Sequence, residues 1–192
     1  IDLSGGSVIA FSGTTCAGIM LLLTPKDHDP EVSIGFVPIA VALGSSMAVG
    51  LLIGNLHTWL ITSIRLPPFI ATLATLVGLR SLAHAFCEWL SDSSRISVND
   101  PFFVYLGDAK NIWLPITVFL VLAAITWFLM RWTVLGRHLY ALGGNEQAAR
   151  LSGIKTENVK WAAYSFSALT ASIASVFYIA KISTADPITL AR

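Results

Sequence analysis

The sequence predicts an all-α polytopic membrane helical bundle with about five transmembrane helices, and three observations predict it. The 192 residues are 55% hydrophobic and only 12% charged, with a mean hydropathy of +0.72, far too apolar for a water-soluble domain. Five stretches reach the roughly 20 apolar residues that a helix needs to cross a bilayer: 5–24, 36–61, 67–90, 112–130 and 161–180. Within them the apolar residues run on without the period of two of a membrane strand, as from Val118 to Ile125. Backbone hydrogen bonding in lipid then forces helices.

The first stretch follows Asp2, Ser4, Gly5 and Gly6, a polar break that is tolerated at membrane depth only if it is buried or lines a cavity. In the second, Gly50 and Gly54 stand in a GxxxG spacing, and in the fifth Ser167, Ala171 and Ser175 repeat every four residues. Such small faces are expected to be buried against other helices. The third carries Arg80, His84 and Glu88. Arg80, near the midplane, reads either as a lining residue of a pathway or as one half of a structural pair, and the structural pair is favoured; Glu88 is expected to reach the interface. His84, one turn from Arg80, reads as a hydrogen-bonded core histidine, since no further metal ligand stands at a suitable spacing. Between the third and fourth stretches, Phe102, Phe103 and Tyr105 follow Asp100 and Pro101, which suits an interfacial aromatic belt or a docking partner, the belt being favoured. Trp132, Tyr140 and Trp161 read as the belt of the other side.

Positive charge sets the orientation. The loop 131–160 holds Arg131, Arg137, Arg150, Lys155 and Lys160 against Glu146 and Glu157, whereas 25–35 holds Lys26 against Asp27, Asp29 and Glu31. The loop 131–160 is therefore expected in the cytoplasm, with the turn at Arg65, and the segments 25–35 and 91–111 outside. A net charge of +1 without a basic run argues against a nucleic-acid partner. Cys16 and Cys87 lie in apolar stretches without metal-ligand spacing, so free buried thiols are expected and no metal site.

Within the basic loop, 136–154 carries its own helix signals. Gly143 and Gly144 are expected to break the preceding structure, Asn145 to cap, Glu146 to favour the first turn, and Gly153 to end a two-turn helix over 146–152. Gln147, Arg150 and Leu151 share one face of it. A short capped helix at the mouth of a bundle fits a partner's groove, or is an ordinary interfacial connector.

The run GRHLYALGGNEQAARLSGIKTENVK resembles the cytoplasmic loop of permease subunits of bacterial ABC importers for monosaccharides, the ribose and xylose type. Ile1-Asp2-Leu3-Ser4 with Gly6-Ser7, the stretch LPPFIATL from Leu66 to Leu73, and Ala185-Asp186-Pro187 match further stretches of that family in order. The resemblance implies a permease of roughly ten helices, of which this chain supplies the middle, with N- and C-terminal parts of the domain missing. It implies pairing with a second permease copy, a cytoplasmic ATP-binding subunit and a periplasmic sugar-binding protein, all in the inner membrane of a bacterial cell. It also makes the loop helix the coupling helix, with Gly144, Asn145, Glu146, Ala149, Arg150 and Gly153 at the matching positions, and Glu146 and Arg150 expected to contact the ATPase. Asp2, Ser4 and Arg80 are the candidates for the substrate pathway, although Gly5 and the pair His57-Thr58 depart from the family's usual residues.

The chain has no GxxxxGK[ST] phosphate loop, so no cofactor is expected on it and ATP is expected to be used by a partner subunit. An ion-gradient-driven secondary transporter of a small polar solute is the alternative; it asks for paired broken helices and intramembrane carboxylates, of which only Glu88 falls well inside a stretch. A membrane-embedded enzyme asks for a nucleophile with a base or a metal cluster, and none is visible.

Overall fold

The computed structural model describes residues 2–25 and 32–187. Its helices are α1 (Gly5–Leu23), α2 (Phe36–Thr62), α3 (Pro68–Ser91), α4 (Pro101–Gly107), α5 (Trp113–Trp132), α6 (Val134–Gly144), α7 (Glu146–Leu151) and α8 (Thr156–Ile182), with two short strands, β1 (Ile96–Ser97) and β2 (Thr184–Ala185). Five of them, α1, α2, α3, α5 and α8, are long and apolar enough to cross a membrane. The fold is the all-α bundle that the apolar stretches predict. Helix α8 runs from Thr156 to Ile182, past both ends of the stretch 161–180, because hydropathy marks the part that needs lipid while the backbone ladder continues into the polar residues 156–160.

Helix α1 is the hub, packed on α2, α3 and α8, and α2 lies along α8. The α2–α8 contact is made by backbone rather than by bulk. A Cβ on Gly54 would stand 2.7 Å from Ser165 Cα, and one on Gly50 would stand 2.9 Å from the Ala168 carbonyl oxygen. Bare glycines let the helices close to within van der Waals reach of each other's main chain, which is how helices associate where lipid removes the hydrophobic drive. Several hydroxyls buried in the bundle are satisfied on the preceding turn: Ser12 of α1 donates to the Val8 carbonyl at 2.6 Å, Thr58 to Gly54 at 3.0 Å and Ser172 to Ala168 at 3.0 Å, whereas the hydroxyls of Ser46 and Ser165 are buried without a partner among the described residues. Ser12 also reaches across to Ser175 at 3.2 Å. On α8 the buried stripe is Ser165, Ala168, Ser172, Ser175 and Ile179, not the expected Ser167, Ala171 and Ser175. Ser167 is exposed and Ala171 only half-buried, because the stripe follows the glycines of α2 and so is rotated from the four-residue spacing read in the sequence.

The chain alternates direction, so the α2–α3 turn, the start of α1 and the α6–α7 segment share one end, and the segments on either side of α4 share the other. At the latter end β1 pairs antiparallel with β2, Ile96 opposite Ala185 and Ser97 opposite Thr184. Arg95 Nε stands 3.2 Å from the buried Asp186 carboxylate. Asp100 accepts from the Phe102 N–H at 2.8 Å, capping α4, and from the Ile34 N–H at 2.9 Å, tying the segment before α2 to it. Phe103 is fully buried while Phe102 and Tyr105 are exposed, so the aromatic cluster is part core and only part surface belt: the Asp100-Pro101 cap starts a helix that turns one ring inward against α8. Asp100→Ala removes both acceptors and is expected to lower stability by about 2 kcal/mol. A thermal melt of the purified full-length protein checks this, and an unchanged midpoint would contradict the tie.

Cys16 and Cys87 are buried free thiols. Helix α5 has no buried side chain, and among the described residues it is joined to the remainder mainly through α6.

Candidate functional site

The α6–α7 segment is built from two successive caps. Thr133 ends α5 in extended conformation and its hydroxyl accepts from the Gly136 N–H at 3.2 Å, starting α6. Leu135, Leu139 and Leu142 recur along α6 at helical spacing, and the helix runs through Gly143 to Gly144. The glycine pair therefore does not break it, contrary to expectation. A Cβ at either position would meet open space, and neither has a positive φ, so the weak helix propensity of glycine is overridden by the amphipathic pattern ahead of it. The break comes one residue later. Asn145 is extended (φ −156°, ψ 107°), and its side-chain oxygen accepts from the Ala148 N–H at 3.0 Å, the N-cap that the sequence predicts.

Helix α7 ends in a Schellman turn: Gly153 has φ +83°, its N–H donates to the Arg150 carbonyl at 3.0 Å, and the Ile154 N–H donates to the Ala149 carbonyl at 3.1 Å. Ala149 is the buried residue of α7, so it packs the helix down rather than facing outward. Gln147 and Arg150 are exposed, and Leu151 is 90% exposed. Two ion pairs fasten α7 to the first turns of α8. Lys160 Nζ donates to Glu146 Oε1 at 2.6 Å, and Arg150 stands 3.6 Å from Glu157 with both side chains largely in solvent, a pair that adds at most about 1 kcal/mol. Lys160, itself mostly covered, is the firmer link. Trp161 then donates its indole N–H to the Asn55 side chain of α2, so the start of α8 is held by α7 on one side and by α2 on the other.

The other sequence-predicted residues divide. Asp2 accepts from the Ser4 N–H at 2.9 Å and from the Ser4 hydroxyl at 2.6 Å, so the polar break is an Asx-type turn leading into α1. It lies at the end of the bundle shared with α6 and α7, not in the middle. Ser4 is fully buried, whereas Asp2 is exposed and borders a cleft beside α8. Arg80, half-buried on α3, lies about 18 Å further along its helix than Pro68 at 1.5 Å per residue, so the structure does not bring it to Asp2. His84 Nδ1 stands 3.4 Å from a Glu88 carboxylate oxygen, and the Glu88 side chain is mainly exposed. Lys160, Tyr164 and Ser167 line the same cleft; the sequence marks Lys160 only as a positive charge and Ser167 only as part of a small face, and does not mark Tyr164. Their spacing at i, i+4 and i+7 on α8 is the signal that marks them as one face.

The family model described as the permease component of a branched-chain amino acid transport system matches residues 1–192. The chain is 32% identical to the ribose import permease protein RbsC of Escherichia coli (strain K12) over 189 residues, 97% of this chain and 55% of that one. It is 30% identical to the L-arabinose transport system permease protein AraH of the same strain over 206 residues, 98% of this chain and 62% of that one. It is 29% identical to the galactofuranose transporter permease protein YtfT of that strain over 188 residues, 97% of this chain and 50% of that one. The chain thus spans about half to three-fifths of the length of these curated relatives. No solved structure matches. The matched family model and the relatives, with the five apolar helices, make this a multi-pass membrane protein and a transporter component: the chain belongs to the permease family of the branched-chain amino acid transport type, and within it is similar to permeases named for sugars.

Proposed function

We propose that the chain acts in the transmembrane permease of an ATP-driven ABC importer that carries a monosaccharide across the bacterial inner membrane. Its partners are then a cytoplasmic ATP-binding subunit, a periplasmic sugar-binding protein and a second permease copy. A sugar is favoured over a branched-chain amino acid because the individual relatives matched along nearly the whole chain are named for ribose, L-arabinose and galactofuranose. The observation that carries the reading is α7: a helix capped at both ends, presenting Gln147, Arg150 and Leu151 outward and fastened to α8 through Glu146 and Lys160. Such an element suits a groove on a partner and passes that partner's movement to a membrane helix. The excess of Arg131, Arg137 and Lys155 at this end supports its facing the cytoplasm. Asn145 and Gly153 shape this element, and Ala149 seats it.

The full-length permease, reconstituted in vesicles with its ATP-binding subunit and binding protein, is expected to take up the sugar only when ATP is supplied on the α7 side. Uptake that runs without ATP, on a proton or sodium gradient, sinks the reading in favour of a secondary transporter.

A further inference from the structure

At the α7 end a cleft of about 350 Å³ opens between the start of α1, the α2–α3 turn, α6 and α8. Its walls are apolar, with Ile61 and Leu142 among them, and its polar groups come from Asp2, Lys160, Tyr164 and Ser167. We infer that this cleft is a monosaccharide-binding station on the α7 side of the permease, with Asp2, Lys160, Tyr164 and Ser167 as its contact residues; the inference rests on the importer reading and names the site where that importer holds its cargo before release.

The volume stands near the small end of the roughly 300–1,000 Å³ of small-molecule sites, enough for one sugar ring. The chemistry suits a polyol. The carboxylate of Asp2 accepts from paired hydroxyls, the Lys160 ammonium and the Ser167 hydroxyl donate, and the Tyr164 ring offers an apolar face to the carbon side of a sugar. Tyr164 is set in place from behind by fully buried His57, whose ring lies 6.1 Å from it at 55° and whose Nε2 is 2.7 Å from Thr75 Oγ1. His57 is thus a positioning residue.

The charges separate a sugar from an amino acid. A zwitterion needs a free cation for its carboxylate and a free anion for its ammonium. Here the Lys160 ammonium is already taken at 2.6 Å by Glu146, so it keeps donors for hydroxyls but offers no uncompensated charge. The same ammonium joins the cleft to α7, so a shift of α7 alters the donor set that holds the sugar.

The test uses the full-length permease assembled with its partners in inverted membrane vesicles. Ser167→Cys is alkylated with a membrane-impermeant maleimide, and the wild-type protein gives the background. D-ribose, L-arabinose, D-galactose and L-leucine are each added at millimolar concentration. At ten times its dissociation constant a binding sugar is expected to slow alkylation about tenfold, since the free-site fraction falls as 1/(1 + [L]/Kd). Lys160→Met in the same background is expected to abolish that protection. Ala163→Cys, on the same cleft, replaces the probe if Ser167→Cys fails to fold. Labelling that no sugar slows, in vesicles that still carry one of them from the lumen outward with ATP, overturns the station and leaves the importer reading standing. Protection by leucine alone overturns the substrate class. Protection by a sugar without any ATP-driven movement of it out of the lumen supports the station and removes the importer.

Discussion

Replacing Gly54 with leucine is expected to separate α2 from α8 and to cost the protein about 3 kcal/mol, the upper part of the range for overpacking a closed interface. The new Cβ would meet Ser165 Cα at 2.7 Å and the Tyr164 carbonyl oxygen at 2.9 Å. Both are main-chain atoms of a helix, so no side chain can swing away to make room. A loss of that size lowers the melting midpoint by roughly 6–12 °C at the 2–4 °C per kcal/mol of chains this long. Cys16 and Cys87 supply the readout, because both are buried until the bundle opens and a thiol-reactive dye then reports the melt of the detergent-solubilised protein. Gly44→Ala is the control. Nothing stands within 4 Å of a Cβ at Gly44, so the gain in helix propensity, up to about 1 kcal/mol, is the whole effect expected. A wild-type midpoint for Gly54→Leu would mean that α2 and α8 do not touch as described. The consequence reaches function because Asn55, next to Gly54, holds Trp161 at the start of α8, where α7 is also attached.

The same pair of glycines shows what the sequence made legible and what it did not. A GxxxG spacing in an apolar stretch announces a packed face, and the face is there; its partner stripe on α8 is not announced, since Ser, Ala and Thr recur all round that helix. Only the contact with Gly50 and Gly54 selects Ser165, Ala168 and Ser172 over Ser167 and Ala171. Caps were readable because they are local: Asn145 and Gly153 act within four residues of themselves. Glycine does not act as a breaker at Gly143 and Gly144, where the leucine periodicity of α6 outweighs it. The α7 helix was legible, whereas its tethers were not, because Glu146 meets Lys160 fourteen residues away and nothing in either residue's neighbourhood signals the pairing. The cleft is the least legible part. It needs Asp2, Leu142 and Lys160 from distant parts of the chain at one end of the bundle, and charge patterning marked Lys160 only as one more positive residue.

In the importer proposed above, Leu151→Asp is expected to strip the ATP-binding subunit from the permease while leaving the permease itself intact. At 90% exposure, Leu151 contributes next to nothing to the folded chain, and a surface change of this kind moves stability by no more than about 0.5 kcal/mol. In a partner's groove the same side chain is worth roughly 1.5–3 kcal/mol of burial, and an aspartate there adds the cost of desolvating its charge. At 1.4 kcal/mol per factor of ten, the affinity for the ATP-binding subunit falls by at least about tenfold to a hundredfold. Two measurements on one preparation divide the outcomes: the melting midpoint, expected to match wild type, and the amount of ATP-binding subunit retained on affinity purification, expected to drop with ATP-driven uptake. Leu151→Met, which keeps the apolar volume, is expected to retain both. A Leu151→Asp permease that holds its ATP-binding subunit and imports sugar at the wild-type rate would remove α7 from the contact and return the Glu146–Lys160 pair to a purely structural tether.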